Sequence, residues 1–228
     1  MKNKGNNMKL FVQAISKFLL GVILVGVLIF LPAGTLNHPK GWLFMGILFV
    51  PMFAAGLVML WKNPQLLRKR LDVKEKQRTQ SRIIRLSGLM FLVGFVVAGL
   101  DHRFGWVVLP GWVSPVFAVV FLSAYALYAE VLRENVWLSR TIEVQEGQQV
   151  VDTGLYGIVR HPMYSVTLLL FLSMPLVLGS ILSFVIFLAY PFLIAGRIRN
   201  EEQVLERELT GYTAYKAKVR YRLIPFIW

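Results

Sequence analysis

Two segments of this chain carry residues whose types and spacing can do chemistry. Residues 154–164 read GLYGIVRHPMY, and residues 200–225 read NEEQVLERELTGYTAYKAKVRYRLIP. In the second, Glu201 and Glu202 stand side by side just after a long apolar run. Two adjacent acids beside lipid phosphates call for a cationic partner. Arg197 is four residues before Glu201, a helical ion-pair spacing, and Arg199 lies close by. The alternative partner is a small-molecule ammonium or sulfonium. Tyr212, Tyr215 and Tyr221 present aromatic faces that hold an adenine ring or a cation, and tyrosines also suit a membrane interface. Arg220 and Arg222 can bind a carboxylate or phosphate bidentately, or lipid headgroups. In the first segment His161-Pro162 stands at the mouth of the apolar run. Proline there starts a helix, and Arg160 and Tyr164 anchor at the headgroups.

These segments can form one site only if the intervening stretch, 165–196, returns the chain to its starting face. That stretch holds no charged residue. As a single helix it would reach roughly 48 Å, against ~30 Å of bilayer hydrocarbon. Gly179-Ser180 near its middle predicts a turn between two short arms, with Pro175 and Pro191 kinking them. Four further apolar runs, 18–36, 42–61, 83–100 and 112–129, each approach the ~20 residues of a membrane span. The chain is 56% hydrophobic and 16% charged, outside the range of ordinary soluble domains. The fold class expected is therefore an all-α polytopic membrane protein with about six transmembrane helices, including a C-terminal helical hairpin. The basic N-terminus followed by an apolar run resembles a signal peptide, but no small-x-small cleavage site follows, so a retained first span is expected.

Charge distribution orients this arrangement. Of 25 Lys and Arg, only Lys40 and Arg103 fall in loops that six spans place outside. The positive-inside rule puts both termini in the cytoplasm, in an integral protein of the cell inner membrane. A single helix over 165–196 would export the basic tail, so charge and length agree on the hairpin. Membrane orientation and anionic headgroups account for the net charge of +13, and no nucleic-acid partner is expected. Cysteine is absent, which excludes disulfides, thiolate catalysis and cysteine metal sites. His38 and His102 fall in outer loops, away from His161, so no metal site is expected.

Residues 1–228 read as one membrane domain: four spans and their loops over 18–140, then a site-bearing region over 141–228 with its hairpin at 165–196. In the 62–82 loop, Asn63-Pro64 predicts a helix start. Leu66, Leu67 and Leu71 would face lipid there, with Arg68, Lys69, Arg70 and Lys74 at the headgroups. Over 141–154, Ile142 and Val144 alternate with polar residues before Glu146-Gly147, which predicts a small β-hairpin. An amphipathic helix is expected over 197–209 and another over 212–219.

Taken in order, GLYGIVRHPMY, an apolar hairpin, Glu201-Glu202 and the pattern L-x-G-Y-x-x-Y-x-x-x-V-x-x-R-L-I-P resemble the integral-membrane isoprenylcysteine carboxyl methyltransferase and phospholipid N-methyltransferase family, in a bacterial-type member. The resemblance covers 141–228; the first four spans match only in kind. It implies S-adenosylmethionine as cofactor, bound without a Rossmann unit, and no strand–Gly-rich turn–helix unit is visible here. It implies that Tyr156, Arg160, His161, Pro162 and Tyr164 line the cofactor pocket with Glu201 and Glu202, under Tyr212 and Tyr215. It implies a lipophilic or lipid-embedded acceptor entering from the membrane. A carboxylate acceptor would be fixed by Arg197 or Arg199; an amine would give its proton to Glu201 or Glu202. Two positions depart from the family pattern. Val166 stands where many members have glycine, and Leu155 where many have proline; a missing glycine would narrow helix approach and alter acceptor access.

Two rival readings remain. Membrane sterol reductases have a similar tail but use NADPH; the intact RHPMY and the glutamate pair favour the methyl donor. A non-enzymatic interaction or transport protein would need ionisable groups near mid-membrane, and the spans hold almost none.

Overall fold

The computed structural model describes residues 2–71, 78–138 and 142–228. Among these the chain forms helices and no β-strand. They are α1 (Lys2–Ala33), α2 (Pro39–Lys62), α3 (Pro64–Leu71), α4 (Arg78–Phe104), α5 (Val113–Glu134), α6 (Pro162–Leu178), α7 (Ile181–Phe187), α8 (Tyr190–Glu208) and α9 (Tyr212–Lys218), with a 3-10 turn at Gly154–Gly157 before α6. Five segments are long and apolar enough to cross a membrane: Met8–Ala33, Pro39–Lys62, Ser81–Phe104, Val113–Glu134 and Ile181–Glu208. α6 is a shorter apolar helix of 17 residues. The chain is a polytopic all-α membrane protein.

The helix that holds the first apolar run also carries Lys9 and Lys17, both exposed. Long lysine stems let their ammonium groups reach polar partners, and Lys17 Nζ donates to the Leu71 carbonyl at the end of α3 (2.5 Å). α3 itself starts as expected: Pro64 occupies its first position, and the Asn63 side chain accepts the Leu66 N–H (3.1 Å). Lys74 and the Lys69 side chain lie outside the described residues.

Phe44, Phe121, Phe187, Ile29 and Val177 are fully buried between helices, whereas Leu20, Leu24 and Leu31 on α1 are exposed, as a lipid-facing surface requires. α6 packs most extensively against α5, and α1 and α7 pack on α4. Hydroxyls tie these contacts to backbone carbonyls. Ser114 Oγ donates to Val177 O (2.5 Å), Ser183 Oγ to Gly94 O (2.8 Å), and Tyr125 OH to Leu48 O (3.0 Å).

The hairpin forms where length and charge place it. Gly179 ends α6 at φ 78°, a left-handed turn that glycine adopts without strain, and donates to Leu176 O. Ser180 then caps α7, accepting the Ser183 N–H (3.2 Å). Pro191 does more than kink the return arm. It lies in the first turn of α8, and Leu188-Ala189 separates α7 from it. α8 runs back along α6: the Phe171 and Tyr190 rings are 4.7 Å apart, and Tyr190 OH donates to Thr167 Oγ1 (2.9 Å). The amphipathic helix expected over 197–209 is the second half of α8, since nothing between Leu193 and Arg197 stops the helix. The helix expected over 212–219 is α9.

The β-hairpin expected over 141–154 does not form. Thr141 lies outside the described residues. The turn exists, with Gly147 at φ 73° and Gln148 N–H bonded to Gln145 O (3.0 Å), but no ladder flanks it. Val144 and Val150 instead pack on Leu209, Tyr212, Tyr215 and Val219, so this segment spends its apolar residues against the tail.

Candidate functional site

The site starts at the end of α5. Glu134 accepts the Leu155 N–H (3.0 Å) and the Thr153 hydroxyl (3.3 Å), which fixes the 3-10 turn. Gly154 has φ 47°, and a Cβ there would lie 1.8 Å from Glu134 Oε1, so any other residue would be strained and would displace that carboxylate. Beyond the turn the backbone pairs with the tail: Arg160 N–H donates to Tyr221 O and His161 N–H to Arg222 O, both at 2.9 Å. Pro162 then opens α6.

The two polar segments meet on Glu202, which is 3% exposed. Arg160 Nε donates to its Oε1 (2.8 Å) and Arg222 Nε to its Oε2 (2.9 Å). His161 Nε2 lies 3.2 Å from Oε1. Arg160 Nη1 also donates to the Val219 and Arg220 carbonyls, each at 2.7 Å, tying the end of α9 to the same point. A carboxylate so surrounded is a keystone: it joins α6, α8 and the tail through charge-assisted bonds.

Glu201 is one residue away, hence about 100° around α8, and it faces elsewhere. It accepts from Tyr164 OH, and Arg197 Nε donates to that same hydroxyl (2.9 Å). Tyr164, Arg197 and Glu201 line a cleft with Arg160 and His161. The cleft encloses about 830 Å³, its open mouth and the solvent there included. Trp137, Tyr156, Tyr212 and Tyr215 give it aromatic walls, and Asn135, Gln148 and Gln149 add polar groups. Tyr215 OH donates to Tyr156 O (2.7 Å), holding α9 over the turn. The Tyr212 hydroxyl is buried with no hydrogen-bond partner. Burial pushes the Tyr212 phenol well above its ordinary value, with Glu202 and Glu201 adding to it; burial likewise raises Tyr156 and Tyr215.

Most residues singled out in the sequence converge here: Tyr156, Arg160, His161, Tyr164, Arg197, Glu201, Tyr212 and Tyr215 on the cleft wall, Glu202 directly behind it. Pro162 is buried as the first residue of α6 and does not line the cleft. Arg199 is exposed and away from it. His38 and His102 stack on each other, 3.7 Å apart, beside the inter-helix loops far from His161. No group of metal-ligating side chains occurs among the described residues. Val166 is buried in the main core, packed rather than lining the cleft.

Several participants were not singled out. Glu134 closes α5 with no motif around it to mark it. Arg222 was read toward a carboxylate, phosphate or headgroup without a named partner, and the structure gives it the carboxylate of Glu202. Gln148 and Gln149 belong to the segment expected as a hairpin, Asn135 and Trp137 precede it, and nothing in their spacing signals a pocket wall.

Known proteins resemble parts of this chain. A mouse (Mus musculus) Delta(14)-sterol reductase is 33% identical over 91 residues, a match that covers 39% of this chain and 22% of the reductase. The chain thus spans about a fifth of the length of that relative. The isoprenylcysteine carboxyl methyltransferase (ICMT) family matches residues 115–207, from the start of α5 to the last turn of α8. That interval contains Glu134, Arg160, His161, Tyr164, Arg197, Glu201 and Glu202, and it stops before the tail that supplies Tyr212, Tyr215 and Arg222. By its site-bearing segment, the chain is matched to the isoprenylcysteine carboxyl methyltransferase family.

Proposed function

We propose that the chain is an S-adenosylmethionine-dependent methyltransferase. Its acceptor is lipophilic or lipid-embedded, an isoprenylcysteine-type carboxylate or a phospholipid amine, taken at the cytoplasmic face where both termini lie. The cleft carries this reading: it joins the RHPMY segment to the glutamate pair inside the interval matched to the methyltransferase family. Its residues suit the cofactor. The aromatic walls fit an adenine ring, the partnerless Tyr212 hydroxyl fits a polar ligand atom, and the Glu201 carboxylate fits an ammonium or sulfonium. When bound, the cofactor supplies a methyl group on a cationic sulfur, open to attack by a nucleophile.

The residues divide the remaining work. Glu202 is engaged by Arg160, His161 and Arg222, so it orients the wall and is not placed to take a proton. Glu201 is the carboxylate on the cleft, and it would accept the proton of an amine acceptor. A carboxylate acceptor needs no base, and Arg197 is the cation beside it. Residues 142–151 and α9 wall the cleft, where they would hold the reactants in line.

The sterol-reductase match supports a second reading, an NADPH-dependent reductase. The charge of the cleft argues against it. Glu143 and Glu201 offset Arg160 and Arg197 among its lining residues, which leaves little to balance a polyanionic dinucleotide. Equilibrium dialysis of purified protein against radiolabelled S-adenosylmethionine and NADPH decides between them. Saturable binding of the methyl donor alone supports the proposal; binding of NADPH alone overturns it. Labelled donor incubated with protein and native membrane extract then identifies the acceptor class.

A further inference from the structure

The last residues of the chain curl into a ring. The Trp228 main-chain oxygen accepts the N–H groups of Arg222 (2.9 Å), Leu223 (2.9 Å) and Ile224 (3.2 Å), and Trp228 N–H returns to Ile224 O (3.2 Å). The ring sorts its side chains. Leu223 is buried, and Trp228 packs against the main core, while Ile224 (44% exposed), Phe226 (87%) and Ile227 (76%) point outward. Phe226 has φ 67°, the sole positive φ of a non-glycine among the described residues. A bulky residue does not choose that conformation by itself. Ring closure imposes it, and the product is an outward apolar face.

The position of the ring says what that face meets. Ser165 Oγ, in the first turn of α6, donates to Leu223 O (2.6 Å), so the ring sits where an apolar helix starts into the membrane. Arg220 beside it is exposed, and the Tyr221 ring lies 5.3 Å from that of Phe226. A cation, an aromatic and aliphatic side chains at that depth are the composition of a membrane interface. Three outward side chains are too few for the ~1,000 Å² that a specific protein–protein contact needs. We propose that Ile224, Phe226 and Ile227 form a wedge that enters the acyl region of the leaflet at the site end of the bundle, with Arg220 and Tyr221 at the headgroups. The wedge bears on the site because Arg222, in the same ring, holds Glu202. Lipid contact thereby steadies one of the three side chains that orient the keystone carboxylate. This inference rests on the membrane-spanning fold and not on the methyl-transfer reading.

The chain contains no cysteine, so Ile227→Cys and Lys218→Cys each give one attachment point for a nitroxide. The labelled proteins are placed in phosphatidylcholine–phosphatidylglycerol vesicles, and collision with oxygen is compared with collision with a water-soluble nickel chelate. At 227 oxygen access should exceed nickel access; at 218, on the exposed flank of α9, the order should invert. Adding Phe226→Asp to the 227 label should move its ratio toward that at 218. A 227 label as open to nickel as the 218 label puts the ring in water and overturns the proposal. A 227 label shielded from both reagents means that protein covers it, a second copy for instance, and overturns it equally.

Discussion

Both ends of the helix bundle bury polar side chains, on opposite terms. At the site end Glu202 is buried as an anion, and Arg160, Arg222 and His161 surround it within 3.2 Å. At the other end His38 is fully buried, and neither ring nitrogen has a hydrogen-bond partner. It lies face to face with His102 (3.7 Å) and edge-on to Phe30 (6.1 Å). Asp101 nearby in the chain accepts the Val107 N–H through Oδ1 (3.0 Å), while its Oδ2 bonds nothing. The two ends show two ways to hide polarity. A charge can be buried if partners arrive with it, as charges and hydrogen bonds from residues 160–161 and from Arg222 do for Glu202. A titratable group can be buried alone if it gives up its charge. Burial, then His102 and Lys40, lower His38 to about 4, so its ring stays neutral.

The comparison breaks first at Glu202. Glu202→Gln keeps the shape and removes the charge, leaving Arg160, itself 6% exposed, without its counter-ion. Stripping one partner from a buried pair costs on the order of 3–5 kcal/mol. The thermal midpoint in detergent should fall sharply, and methyl-donor binding should vanish with it. An unchanged midpoint would show that the cluster does not hold the tail to α6.

The second test works on the opposite end. His38 in the folded chain has a pKa depressed from 6.5 to about 4, so the unfolded chain binds its proton first. The stability that this neutral ring contributes is complete above pH 6.5 and is lost as pH falls through that window toward 4. His102 and Lys40 repel the incoming proton. The full loss is about 3 kcal/mol. His38→Phe should flatten the pH dependence of the midpoint between 6.5 and 4. A slope identical in the variant would remove His38 as its source. The site end should show no matching slope from this change.

The hairpin was legible because two independent quantities agreed on it, the length of 165–196 and the side on which the basic tail must lie. Return of Glu201-Glu202 to His161 followed from that turn. The division of labour between the two acids did not, although helix geometry contains it: neighbours on a helix point about 100° apart, so only one could face the cleft. The same rule disposes of Arg199, two positions and about 200° from Arg197. Arg222 was out of reach for a different reason. Its partner is set by backbone pairing of 160–161 with 221–222, about sixty positions away, and no local pattern encodes such a contact. The roof segment misled because Ile142 and Val144 alternate with polar residues whether or not a strand pairs with them, and Val144 here packs on an apolar cluster around α9.

A smaller effect on stability is expected at the turn before the site. Gly154→Ala places a Cβ 1.8 Å from Glu134 Oε1 and forces a left-handed φ on alanine. The φ alone costs roughly 1–2 kcal/mol, and Glu134 must release Thr153 and Leu155 to make room. Glu134→Ala on the Gly154→Ala background should recover part of the loss, because the clash is gone. No recovery would mean that the strain resides in φ rather than in contact with the carboxylate.

Glu201→Gln should change stability least and is the sharper probe of function. Glu201 is only partly buried, and its removal leaves every bond of Glu202 in place. The amide still accepts from Tyr164, so the cleft wall keeps its shape. What disappears is the negative charge facing the cleft. A cationic ligand should lose a charge-assisted contact, which is at least about tenfold in affinity, with the thermal midpoint of the free protein unchanged. The pair of variants then separates frame from chemistry: Glu202→Gln loses binding together with the fold around it, Glu201→Gln loses binding alone. Equal melting losses in both would mean that Glu201 also belongs to the frame, and the cleft would then have no carboxylate of that pair left over for a ligand.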